Sequence, residues 1–148
     1  MSEYIRFARL AIVLLVLMLI GRLILGATGV PYAAGTGIFS LVTFSYMAAF
    51  FFAAFSRPLR GYGWKKAVLL GITIVLTAQI LVFATTVLSY LVGAETYFNH
   101  PTALNVPDPI SLVEALPIRL MGLVINTIVG SILASLGWWG GKLIPKAA

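Results

Sequence analysis

Few side chains in this sequence could do chemistry, and several of them fall in one stretch. Glu95, His100 and Asp108 stand between Ala94 and Pro109, with Glu114 and Arg119 shortly after. An imidazole beside carboxylates is what a metal site or an acid–base pair needs, because neutral imidazole ligates through a ring nitrogen and a carboxylate can orient it. Glu95, His100, Glu114 and Arg119 therefore form a candidate outer cluster. Their spacing does not support it: no two are separated by a helical or hairpin interval, and Pro101, Pro107 and Pro109 break the path between them. The expectation is a solvated connection with no catalytic residue, no metal and no cofactor. A single histidine excludes a haem held by two histidines of one chain. The lack of cysteine excludes disulfides, thiolate metal sites and thiol redox chemistry. No Gly-rich phosphate cradle or nucleophile motif occurs, so the chain is expected not to be an enzyme.

A second set of polar residues lies inside apolar runs. Gly122, Asn126, Gly130 and Ala134 recur every fourth residue, with Thr127, Ser131 and Ser135 in the neighbouring row. On a helix these rows make one flank of small and hydroxyl side chains around a carboxamide. In hydrocarbon such a flank packs against other helices, since small residues let backbones approach and polar groups bond across the gap. Gly122, Asn126, Gly130, Ala134, Thr127 and Ser131 are the expected packing residues. Arg22, Thr43, Gln79 and Asn126 each fall twelve residues from the basic-side end of their apolar run. At ~1.5 Å per residue that is a common depth of roughly 18 Å, a candidate polar layer. Either these groups hold the helices together, at about 0.6 kcal/mol per contact, or they line a path or bind a polar ligand, as an ionisable group at membrane depth suggests. Arg22 is expected to pair with Glu114 at the outer boundary.

Composition names the elements that must carry these residues. With 61% hydrophobic and 9% charged residues, and a mean hydropathy of +1.05, the 148-residue chain reads as one all-α integral membrane domain spanning 1–148. Four transmembrane helices are expected at about 8–26, 38–56, 67–93 and 118–139. The first is read as retained rather than cleaved, because Arg22 interrupts the end of its apolar run without a clean small-x-small site. Asp108 followed by Pro109 reads as a helix start, predicting a short interfacial helix over about 109–116 that bends at Pro117.

Four spans bring both termini to one face. That face carries Arg6, Arg9, Arg57, Arg60, Lys65, Lys66, Lys142 and Lys146 against Glu3, whereas the other carries Arg22 and Arg119 against Glu95, Asp108 and Glu114. This positive-inside pattern predicts cytoplasmic termini, in a bacterial inner (plasma) membrane, with anionic lipid attracted to the basic face. The net charge of +6 is thereby explained without nucleic acid. The function expected is that of a structural or assembly subunit, packing with other membrane proteins or with itself through the fourth helix. The alternative is a small oligomeric transporter or channel using the polar layer.

Overall fold

The computed structural model describes residues 3–35 and 37–145, and among these there are helices and no strands. Lys146, counted above on the basic face, lies outside them. A short α1 (Glu3–Phe7) passes through Ala8 into α2 (Arg9–Ala27), and α3 (Tyr32–Gly35) is a single turn. The long helices α4 (Leu41–Arg60) and α5 (Trp64–Leu91) follow, then the four-residue α6 (Pro101–Leu104) and finally α7 (Leu112–Gly140) with a 3-10 turn at Gly141–Leu143. Three helical segments are long and apolar enough to cross a membrane: Arg9–Ala27, Trp64–Leu91 and Leu112–Leu143. They correspond to the first, third and fourth expected spans. α4 has 20 residues, but Thr43, Ser45, Tyr46, Ser56, Arg57 and Arg60 make it less apolar than the other three. Ser45 and Ser56 are buried together with Ala48, Ala49, Ala53 and Ala54, while Arg57 and Arg60 stand at its basic end.

The helix ends follow local chemistry. Ser40 caps α4, and Gly61 closes it in the left-handed conformation at φ 64°, returning its amide to the Arg57 carbonyl at 3.0 Å. α4 thus runs past Pro58, whose missing amide frees only the Ala54 carbonyl. Gly141 lies against that same carbonyl, where a Cβ could not be accommodated. The expected helix over 109–116 is replaced by a later start. Ser111, not Asp108, is the cap: its hydroxyl faces the Glu114 amide while Glu114 Oε2 accepts from the Ser111 amide at 2.8 Å. This reciprocal capping box outcompetes Asp108-Pro109, and one continuous helix runs from Leu112 through Pro117.

α5 is the central element. Its buried residues form two rows, Leu70, Ile74, Ala78 and Val82 beside Ala67, Gly71, Val75 and Gln79, so it has neighbours on two sides rather than one apolar face. The first row packs with Ala8, Ala11 and Leu15 from the N-terminal segment and with Leu41 and Ala48 of α4. On the other side α5 and α4 meet α7 through small residues. A Cβ at Gly130 would come 2.5 Å from Val75 Cγ2, one at Gly71 would strike Ala134, and one at Gly137 would fall on the Phe50 carbonyl. Backbones this close gain dispersion contacts that larger side chains would prevent.

Glu3, the loop after α4 and the end of α7 gather at one pole. Tyr62 donates to Glu3 Oε1 at 2.7 Å, and Lys66 Nζ lies 3.8 Å from Glu3 Oε2. Trp138 Nε1 donates to the Tyr62 carbonyl at 2.8 Å. Arg57 and Lys142 lie 5.1 and 5.6 Å from the Trp138 ring, so cations and aromatic rings alternate there. The Tyr62 bond holds the Glu3 carboxyl below its ordinary value, while burial foremost, and then Glu3 itself, pushes the Tyr62 phenol up to about 12.

Candidate functional site

Two of the four residues expected at a common depth meet. Asn126 Nδ2 donates to Gln79 Oε1 at 3.1 Å, joining α7 to α5. Asn126 Oδ1 in turn accepts from the Tyr46 hydroxyl at 2.6 Å, which brings in α4. A chain of side-chain hydrogen bonds therefore crosses all three closely packed helices. Sequence reading missed Tyr46, although a tyrosine inside an apolar run is itself a signal, since a buried phenol needs a partner. Gln79 is 4% exposed, and its Nε2 has no hydrogen-bond partner among the described residues. Thr43 does not join this group: it is exposed and bonds Ser40 at the start of α4.

The small-residue flank of α7 divides. Gly130 and Ala134 are buried against α5 and α4. Thr127 and Ser131 spend their hydroxyls on carbonyls four residues back, Leu123 at 2.7 Å and Thr127 at 2.8 Å, rather than on a neighbouring helix. At Gly122 the packing has ended, since a Cβ there would meet no other helix, only Asn126 of its own. A groove of about 460 Å³ opens beside it, lined by Val42, Leu104, Met121, Ile125 and Asn126 among others.

Arg22 lies towards the outer pole and is 8% exposed. It donates to the Ile38 carbonyl at 3.1 Å, and its guanidinium lies 5.7, 5.2 and 6.0 Å from the rings of Tyr32, Tyr97 and Phe98. Glu114, expected to face it, is exposed and bound to Ser111. Arg119 reaches the same place from α7. It donates to Thr86 Oγ1 at 3.0 Å, to the Ala103 carbonyl at 3.3 Å and to the Phe98 carbonyl. Together the two arginines line a cavity of about 180 Å³, walled by Tyr32, Ser40, Tyr97 and Phe98. The association of Arg22 with Arg119 had no signal in sequence, since like charges are not expected to seek one another.

Within the rest of the outer cluster, His100 has structural work. His100 Nδ1 accepts from the Thr102 amide at 3.2 Å, capping α6, and its ring stacks on Tyr32 at 4.6 Å. Tyr97 donates to the Val30 carbonyl at 2.6 Å, tying the two outer connections together. Glu95 is exposed and borders a separate hollow with His100 and Tyr90. Among the described residues no group of three metal-ligating side chains converges. Nothing among family models, curated proteins or solved structures matches this chain.

Proposed function

We infer that the chain is a four-span, non-catalytic membrane protein acting as a structural or assembly subunit, with α4 as the fourth span and the basic pole in the cytoplasm of a bacterial inner membrane. The observation that carries this reading is the division of α7. Its basic-side half is locked to α4 and α5 through Gly130, Ala134 and Gly137, which makes a rigid scaffold. Its outer half leaves Gly122 and the apolar residues Met121, Val124, Ile125 and Ile128 uncovered, a surface for lipid or a partner helix. α4 completes the count because its 20 residues are long enough to cross, its small side chains are buried, and Met47, Phe51 and Phe55 are exposed as an apolar face. Purification in mild detergent tests the assembly role: a stoichiometric membrane partner, or a self-association lost on Gly122→Trp with folding intact, is expected. A monomer with no partner under those conditions would overturn it.

A small oligomeric transporter or channel is the second reading, favoured by the buried, unpartnered Gln79 Nε2 next to Asn126. Buried amide protons without acceptors are costly, and a passing water or polar solute would satisfy them. Solute or ion flux in proteoliposomes, abolished by Gln79→Leu, would favour this reading over the first.

A further inference from the structure

We propose that the Arg22–Arg119 cavity is the seat of an anionic phospholipid, the phosphate lying between the two guanidinia and an acyl chain running down the groove beside Gly122. The inference rests on the membrane-spanning reading of the long helices, not on the assembly role. Charge is the first argument. The cavity brings two cations together, and none of its described lining residues is acidic. Carbonyls and aromatic faces solvate a guanidinium but bring no net negative charge to offset the repulsion between two of them. A bound anion does. Arg119 also has the donors for it, since among the described residues only three of its five N–H groups find acceptors. A planar fork with free N–H groups suits a phosphate.

Shape is the second argument, and it selects a lipid over a free anion. The cavity and the groove share Val42, Ala103 and Arg119, so the polar chamber adjoins a mainly apolar groove. From Arg119 the groove follows α7 past Met121, Gly122 and Ile125 to Asn126, about 10 Å at the helical rise, towards the middle of the bundle. A soluble anion has no use for that groove. The site lies at the pole opposite Arg57, Arg60 and Lys142, so it differs from any general attraction of anionic lipid to the basic face.

Native mass spectrometry of the purified chain in micelles, titrated with dioleoylphosphatidylglycerol or dioleoylphosphatidylcholine, tests the proposal. One saturable phosphatidylglycerol is expected, at least ten-fold tighter than phosphatidylcholine, weakened ten-fold or more by Arg22→Gln or Arg119→Gln and unchanged by Arg60→Gln. Should either arginine variant fail to fold, Gly122→Trp blocks the groove without touching the cavity. It is expected to weaken the lipid ten-fold while leaving inorganic phosphate, a weak competitor, unaffected. Equal affinity for the two lipids overturns the proposal. So does retention of tight binding in Gly122→Trp, loss in Arg60→Gln alone, or inorganic phosphate binding as tightly as the lipid. Arg22→Gln and Arg119→Gln leave the Gly122 surface intact, and partner co-purification is scored on the unmutated chain, so the two readings fail separately.

Discussion

Asn126 links three helices, since its carboxamide accepts from Tyr46 and donates to Gln79. Interhelical polar contacts in membranes contribute about 0.6 kcal/mol each, at most about 1.7. Tyr46→Phe, which removes one donor and leaves the ring, is expected to cost about 0.6 kcal/mol in detergent unfolding. Asn126→Leu is expected to cost more, because it strands the Tyr46 hydroxyl and the whole Gln79 amide. Equal costs would show that the three side chains do not act as a chain. A pH effect belongs to this scale too. The Glu3 carboxyl lies below its ordinary 4.5 and the Tyr62 phenol is raised from 10.0 to about 12. A depressed acid stabilises the fold above its unfolded value and loses that contribution as pH falls through the folded one. A raised phenol contributes below its unfolded value and loses it as pH rises towards about 12. The melting temperature is therefore expected to fall below about pH 4.5 and again above pH 10, with both slopes shallower in Tyr62→Phe. Unchanged slopes would remove the Glu3–Tyr62 bond from the account.

The helices differ in how much bulk each stretch tolerates. α7 is tightest where Gly130 faces Val75 and Gly137 faces the Phe50 backbone, and open at Gly122. Gly130→Leu and Gly137→Leu are expected to destabilise by about 1–3 kcal/mol or more, the usual cost of overpacking, whereas Gly122→Leu is expected to be near neutral. Thermal unfolding of the three variants checks this, and a destabilised Gly122→Leu would mean that the packing face runs the full length of the helix. The periodicity of that face was legible in sequence, because four-residue spacing fixes which side chains share a flank. Where along the helix a neighbour is present was not, because that depends on how α4 and α5 cross it. The hydroxyls show the same limit. Thr127 and Ser131 read as glue between helices, yet a carbonyl four residues back is always within reach and satisfies them first.

At the scale of the whole molecule, cations and tryptophans gather at one pole and the connections holding Glu95, His100 and Asp108 lie at the other. The absence of cysteine makes single-cysteine labelling direct. With the basic pole in the cytoplasm, Asp108→Cys in intact cells is expected to react with an impermeant maleimide and Lys65→Cys only after permeabilisation. The reverse pattern would invert the topology. By itself the sequence determined the apolar helices, their approximate limits and the asymmetry of charge, because helix period, span length and charge placement are properties of consecutive residues. The tertiary structure alone decided that Tyr46 completes the Gln79–Asn126 chain, that Ser111 starts α7, and that Arg22 and Arg119 share a cavity. Each of those depends on distance in space between residues far apart in the chain, or on a competition between two local caps, and residue type and spacing alone do not set either.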